Sequence, residues 1–197
     1  MRSEQRRRDP RLFTAIELSD RTRDFVREVV GQMSDDLAGV RWVPPDNLHV
    51  TLRFLGPFSM ERIDQYSRWM EKASRHLPFV LRVGGVSGFP SPSSARVVYV
   101  GACDDSGRVK KVYDVLDKGA AACGLNREGR SYTPHITVAR ARKPVKIPGR
   151  IVERYARDWL EMKVDRLVLY RSTLSSEGSE YSVIHSVGNE SARTDKR

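Results

Sequence analysis

The stretch LHVTLRFLG, residues 48–56, has the pattern of a β-strand that ends in a turn. Apolar and polar side chains alternate along it, and a Gly-Pro pair ends the run. Side chains two residues apart lie on the same face of a strand. One face is therefore apolar, and strict alternation places the imidazole of His49, the hydroxyl of Thr51 and the guanidinium of Arg53 on the other.

A second stretch of the same kind, YTPHITVAR, covers residues 132–140. Here His135 and Thr137 are again two residues apart, with a β-branched residue between them. With four histidines and seven threonines in the chain, random placement would produce about 0.14 copies of His-x-Thr. Because both copies also lie in strand-like apolar surroundings, we interpret them as the two halves of one active site.

The order of the predicted elements indicates the fold class. It is strand, helix, His-strand, helix, strand, strand, helix, His-strand, followed by a short helix and three further strands. The two motif histidines are 86 residues apart in a chain of 197. This order predicts an α+β fold built as a bilobal, pseudo-twofold duplication of strand-helix-strand units. We expect two antiparallel sheets around a central cleft that carries both His-x-Thr strands.

The domain organisation follows from length and composition. We expect a disordered basic arm over residues 1–10, a single bilobal domain over 11–188, and a disordered tail over 189–197. No apolar run approaches the roughly 20 residues that cross a bilayer, and the N-terminal arginines are not followed by the apolar segment of a secretory signal. We therefore expect a cytoplasmic protein that binds no membrane. The lack of heptad repeats favours a monomer.

Four local features are predicted in more detail. Gly124 has the position of a helix C-cap, and residues 84–92 are rich in glycine and proline, which is typical of a loop or a bulged strand. The last two strands are expected to form a hairpin through residues 175–179. Cys103 and Cys123 form no C-x-x-C pair and are expected to be buried, unreactive thiols.

The charge indicates the class of partner. The formal net charge is +10. The first nine residues contribute +2 and the last nine contribute +1, which leaves +7 on the body of the chain. A basic body suits an anionic partner such as RNA, a nucleotide or another phosphate ester, although solubility alone would explain it equally well.

Two histidines in one groove suit acid–base catalysis, because imidazole titrates near neutral pH. A neutral ring can take a proton from water, and a protonated ring can give one to a leaving oxygen; each such group typically contributes ~10²–10⁴-fold. The threonine hydroxyls can donate to nonbridging phosphate oxygens. An arginine would add charge and a planar fork that matches phosphate. These are the parts that phosphoester hydrolysis without a metal requires.

Periodicity alone favours Arg53 as that arginine, although a solvated strand residue explains Arg53 equally well. Arg140 does not share the face of His135 by alternation, and only a bend or a bulge would turn it inward. A zinc site built from His49, His76, His135 and His185 lacks the close ligand spacing of such sites. The chain also has no nucleophile elbow and no glycine-rich phosphate loop. We therefore predict no metal and no cofactor, and a structural role for His185.

At these residues the chain resembles the 2H phosphoesterase superfamily. It resembles more closely the RNA 2′,3′-cyclic phosphodiesterase family, also called the bacterial and archaeal 2′-5′ RNA ligases. The resemblance covers roughly residues 11–188 and is carried by NLHVTLRFLG (47–56) and PHITVAR (134–140), with support from RLFTAI (11–16), LYRS (169–172), Gly178 and Tyr181. Val138 stands where leucine is frequent in the family, which is a conservative change.

The resemblance implies a bilobal α+β enzyme that opens 2′,3′-cyclic phosphate ends of RNA to 2′-phosphates without a metal. It implies that His49 donates a proton to the leaving 3′ oxygen and that His135 is the base that activates water. It also implies an arginine at the phosphate just after the second motif. The phosphate ligands implied in this way are Thr51, Thr137 and Arg140, with Arg53 kept as the second choice.

Two alternatives stay open at this stage. The first is the joining or cleavage of 2′-5′ linkages, which is chemically related to the same step. The second is a catalytically idle RNA-binding module, which the basic body permits and the intact pair of motifs disfavours. Phe89 could stack on a base, although the sequence favours an ordinary core position for it.

Overall fold

The computed structural model describes residues 9–174 and 178–188. Within these ranges the chain forms four α-helices and nine β-strands, which confirms the α+β class. The helices are α1 (Asp20–Ser34), α2 (Ile63–Ser74), α3 (Arg108–Ala122) and α4 (Gly149–Tyr155). The strands are β1 (Arg11–Glu17), β2 (Val40–Trp42), β3 (His49–Pro57), β4 (Phe79–Phe89), β5 (Ala95–Cys103), β6 (His135–Val145), β7 (Trp159–Val164), β8 (Arg166–Leu174) and β9 (Ser179–Gly188).

The nine strands form one antiparallel sheet in the order β7-β4-β5-β6-β3-β1-β8-β9, with β2 paired to β6. The prediction of two separate sheets is therefore wrong. The two halves of the sheet meet where β3 lies beside β6, and a single residue pair, Val50 with Ile136, joins the two strands. Both residues are fully buried. The two predicted motif strands thus lie next to each other at the centre of the sheet.

The helices bury the apolar stripes that the sequence predicts. The strands β3, β8 and β9 pack against the pair α2 and α3, whereas β4 and β7 pack against α4 and α1. The buried side chains form one contiguous hydrophobic core. Each half of the sheet is thus supported by two helices.

Each motif strand carries a one-residue bulge directly after its threonine. The extra residue is Leu52 on β3 and Val138 on β6, as the pairing with β1 and with β5 shows. A bulge changes the face on which the following side chains lie. Leu52 and Arg53 are consequently both buried, as are Val138 and Ala139. Directly after each bulge the side chains lie in the opposite phase, and a second register shift follows, at Leu55 on β3 and after Arg140 on β6.

The structure confirms two of the local predictions. Gly124, at φ +82°, ends α3 in a Schellman motif in which Gly124 N–H donates to Ala121 O and Leu125 N–H to Ala120 O. Strand β4 continues to Phe89 and is irregular near residue 85, so the glycine-rich stretch is a bulged strand.

The hairpin connection over residues 175–177 lies outside the described residues, although β8 and β9 pair as expected. Residues 1–8 of the predicted arm and the whole predicted tail also lie outside them. Cys123 is buried as predicted, whereas Cys103 is only half-buried. No helix in the described ranges has both the length and the apolar character that would let it span a membrane.

Gly119 on α3 tests how closely α2 and α3 pack, and Gly31 on α1 is its control. A Cβ at Gly119 would lie 2.5 Å from Trp69 Cβ, whereas a Cβ at Gly31 would meet nothing within 4 Å. Alanine is favoured over glycine within a helix by about 1 kcal/mol, so Gly31→Ala should raise the free energy of unfolding by up to that amount. Gly119→Ala should lower it by about 1–3 kcal/mol through overpacking. Urea unfolding followed by circular dichroism measures both variants, and stabilisation by Gly119→Ala would contradict the close approach.

Candidate active site

His49 begins β3 and is held by its own strand. Its Nδ1 lies 2.8 Å from the carbonyl oxygen of Asn47, and its Nε2 lies 2.9 Å from Thr51 Oγ1. Because a carbonyl oxygen only accepts, Nδ1 carries a proton and donates it. In the neutral ring, Nε2 therefore presents a lone pair and accepts from the Thr51 hydroxyl.

His135 begins β6 and is held in the same way. Its Nδ1 lies 2.7 Å from the carbonyl oxygen of Thr133, two residues earlier in the chain. The neutral ring therefore also carries its lone pair on Nε2. Thr137, two residues further on, is half-buried on the same face of the strand. Both histidines thus present the same nitrogen for proton transfer.

Arg140 lies on the face of His135 because of the bulge at Val138. The alternation seen in the sequence placed it on the other face, and the bulge reverses that phase. The side chain is exposed, and its charge lowers the pKa of both His49 and His135. The guanidinium is therefore close enough to both histidines to influence their protonation.

The prediction that Arg53 faces the same side as His49 is wrong. The bulge at Leu52 turns its side chain inward, where it is only 5% exposed and lies with Nε 3.0 Å from Asp117 Oδ1. A phosphate, for which Arg53 was the second-choice ligand, would have to compete with Asp117 for the guanidinium. Phe54, which is 55% exposed, follows on the next position of the strand.

Aromatic rings surround each histidine. The centroids of Phe13 and Tyr181 lie 4.9 and 5.4 Å from that of His49. Those of Phe89 and Tyr99 lie 5.0 and 5.2 Å from that of His135. No local sequence pattern indicates a site role for Phe13 or Tyr99, because their positions beside the histidines depend on strand pairing.

Two cavities adjoin the pair of histidines. The first cavity, about 630 Å³, is lined by His135 and Thr51 and by the aromatic rings of Phe54 and Phe89, among others. The second cavity, about 710 Å³, has walls formed in part by Asn47, Arg140 and Tyr181. Asn47 and Tyr181 both contact His49. Each cavity has the volume of a typical small-ligand site.

The surroundings keep both imidazoles neutral near pH 7. Burial lowers the pKa of His49 to about 4; the carbonyl of Asn47 opposes this shift, and the charges of Arg140 and His135 add to it. Burial also lowers the pKa of His135, against the effect of the Thr133 carbonyl and with that of Arg140. A bound anion would act in the opposite direction, since negative charge favours the imidazolium form.

Within the described ranges, no three His, Cys, Asp or Glu side chains come together in a group that could hold a metal ion. Together, His49, Thr51, His135, Thr137 and Arg140 offer two proton-transfer nitrogens, two hydroxyls and one guanidinium.

Residues 19–175 match the family model of the 2′-5′ RNA ligase superfamily. The chain belongs to this superfamily. It is 30% identical over 172 residues to an RNA 2′,3′-cyclic phosphodiesterase of Archaeoglobus fulgidus, across 87% of this chain and 96% of the relative. A relative of the same name from Thermotoga maritima is 28% identical over 176 residues, across 89% of this chain and 93% of its own.

Solved structures of similar proteins have the same fold. The crystal structure of E. coli LigT complexed with 3′-AMP is 25% identical, with a TM-score of 0.73 across 91% of this chain and 97% of that one. TT0787 of Thermus thermophilus is 27% identical, with a TM-score of 0.77 across 90% of this chain and 97% of the other. These matches cover nearly all of the chain that the structure describes.

The charge of Arg140 can be tested on the histidines directly. Because its positive charge disfavours imidazolium, Arg140→Met should raise the pKa of both His49 and His135. NMR titration of the ring signals from pH 3 to 8 measures both values. Arg142→Met, at an exposed position two residues further on, is the matched control and should leave them unchanged. Unchanged values in Arg140→Met would contradict the placement of the guanidinium.

Proposed function

We propose that this protein hydrolyses the 2′,3′-cyclic phosphodiester at the end of an RNA to a 2′-phosphomonoester. The observation that carries the proposal is the matched pair His49 and His135, each with Nδ1 held by a backbone carbonyl and Nε2 available for proton transfer. Membership of the superfamily, and the names of the curated relatives, support the same activity.

The two histidines take opposite roles in this proposal. Neutral His135 removes a proton from water, and the water oxygen attacks the phosphorus. The bond from phosphorus to the 3′ oxygen breaks, and protonated His49 gives its Nε2 proton to that oxygen. The products are a 2′-phosphate and a free 3′-hydroxyl. Proton exchange with solvent then restores both rings.

The phosphate is held by Thr51, Thr137 and Arg140. The Thr51 hydroxyl donates to His49 Nε2 in the free protein. When His49 is protonated, Nε2 becomes a donor, and the hydroxyl is free to donate to a phosphate oxygen instead. The negative charge of the phosphate raises the pKa of His49. Substrate binding therefore produces the acid that the reaction needs.

The first cavity suits the nucleoside next to the cyclic phosphate. Its volume and the rings of Phe54 and Phe89 allow a base to stack, and stacking tolerates any base. The relative LigT has been crystallised with 3′-AMP, which supports a nucleotide-sized site. RNA and nucleotides with a 2′,3′-cyclic phosphate end are thus the proposed partners.

Strand register supports the proposed duplication. In both ladders the threonine two residues after the histidine has a partner in register, Thr51 with Ala15 and Thr137 with Tyr99. The register of both ladders then shifts at the next residue. A duplication predicts a bulge at the same position in both motif strands, whereas independent strands have no reason to share it. We infer that β1–β3 and β5–β6 derive from one ancestral unit.

The second cavity favours one further candidate reaction. It is lined by Arg140 and by Asn47 and Tyr181, which contact His49. Its volume is large enough for a second nucleotide. With a 5′-hydroxyl in place of water, the same groups would join two RNA ends through a 2′-5′ linkage. A catalytically idle RNA-binding module is disfavoured, because it would not need two histidines with matched tautomers.

Turnover of a defined oligonucleotide with a 2′,3′-cyclic end, in the presence of EDTA, tests the main proposal. We expect a 2′-phosphate product, and a loss of ~10²–10⁴-fold in kcat for His49→Ala and for His135→Ala. His76→Ala, beyond the end of α2, is the control and should retain full activity. A wild-type protein that binds but does not turn over would favour the idle module. A 2′-5′ linked product from matched ends would favour ligation.

The pH dependence follows from the two lowered pKa values. The parameter kcat/KM reports on the free enzyme, in which His49 must be an imidazolium and His135 a neutral imidazole. Because the pKa of His49 is about 4 and that of His135 is below 6.5, kcat/KM should be greatest between about pH 4 and 6.5. It should fall above this range as His49 loses its proton. The maximum of kcat should lie at higher pH, since bound phosphate raises both pKa values. A kcat/KM maximum above pH 7 would contradict this assignment.

A further inference from the structure

The two catalytic strands are joined by very little of the sheet itself. Val50 with Ile136 is the only pair in the ladder between β3 and β6 in the described ranges, although other residues of the two strands also lie close together. A ladder of one pair constrains the relative angle of two strands less than a longer ladder does. Other contacts must therefore hold His135 in place relative to His49.

The segment that leads into β6 has no regular secondary structure. Residues 125–134 form neither helix nor strand, yet residues 128 and 130–133 line the first cavity. A loop in this position depends on side-chain contacts for its shape. Its side-chain contacts connect it to β3 and to α3, and at its end Ala102 N–H of β5 donates to the carbonyl oxygen of Pro134 at 3.2 Å.

Arg53 supplies the contacts to β3. Its Nη2 donates to the carbonyl oxygen of Asn126 at 2.5 Å, and its Nη1 donates to Glu128 Oε1 at 2.8 Å. The hydroxyl of Tyr132 also donates to the carbonyl oxygen of Thr51 at 3.0 Å. All three hydrogen bonds connect the strand of His49 and Thr51 to the segment that precedes His135.

Asp117, on α3, completes this arrangement. Its Oδ1 lies 3.0 Å from Arg53 Nε and accepts from Glu128 N–H at 3.1 Å, while its Oδ2 accepts from Arg127 Nε at 2.8 Å. The side chain of Asp117 is only 2% exposed. One carboxylate thus holds both the arginine of β3 and the backbone of the segment.

Stability alone does not explain a buried pair of this kind. Removing two charges from water costs about as much as their attraction returns, and well-packed apolar side chains often replace such a pair without loss. What apolar side chains would not supply is the directed hydrogen bonding to Asn126 and Glu128. We propose that Arg53 and Asp117 are positioning residues, which hold residues 125–134 against β3 and thereby set His135 and the wall of the first cavity relative to His49. The catalytic part of this inference rests on the proposed function.

The test is the double variant Arg53→Met/Asp117→Leu, which replaces the pair by apolar side chains. It should fold, and the amides of residues 126–133 should exchange with solvent at least about 10-fold faster than in the wild type. On the cyclic-ended oligonucleotide, kcat/KM should fall by about 10–100-fold, as expected for a small misplacement of reacting groups. KM should rise because the wall of the first cavity is affected, and kcat should fall because His135, the general base, is affected.

The matched control is Arg82→Met/Asp105→Leu, which removes an arginine–aspartate pair of similar length, 43% and 75% exposed, between β4 and the residues after β5. It should leave exchange and turnover unchanged. If the first double variant does not fold, Tyr132→Phe decides the question, since it removes one hydroxyl and keeps the stacking on Tyr113. It should show the same two effects at a smaller size.

The inference is overturned if the folded variants exchange the amides of residues 126–133 and turn over the oligonucleotide at wild-type rates. It is also overturned by slower turnover that only follows a loss of folded protein, with no change in exchange at residues 126–133 of the folded state. An inactive wild type would overturn the proposed function instead, and the exchange measurement would still decide whether the pair positions the segment.

Discussion

The junction of β3 with β6 is the constraint on which the rest of the site depends. A single buried pair, Val50 with Ile136, makes one sheet out of two groups of strands and places the two motif histidines on neighbouring strands. Without this pair the two groups of strands would not form one sheet. Both cavities adjoin the histidines near this junction.

The two bulges decide which side chains share a face with the motif histidines. Each bulge follows the threonine of its motif, and each moves the side chains that come next to the opposite face of the strand. On β6 the result is an arginine beside the histidines. On β3 the result is the opposite, because the arginine is turned into the protein and paired with Asp117. The same local irregularity thus gives one arginine a position suited to binding phosphate and the other a structural one.

Electrostatics connects binding to protonation in this site. Burial and the charge of Arg140 hold both imidazoles neutral in the free protein, which suits His135 as a base and leaves His49 without its proton. A phosphate reverses the balance, because it brings negative charge to a place where positive charge dominates. In the proposed mechanism the acid is therefore produced only when there is a substrate to receive its proton.

The sequence by itself determined the α+β class, the helices and strands, and the identity of the two His-x-Thr motifs. These depend on periodicity and on residue type, which are local properties. It also indicated that two histidines so far apart belong together. The family resemblance already favoured Arg140 over Arg53. Only the tertiary structure decided that the strands form one sheet, that a bulge places Arg140 on the face of the histidines, and that Asp117 is the partner of Arg53. Bulges and buried ion pairs arise from contacts between residues distant in the chain, and no local pattern of apolar and polar residues contains them.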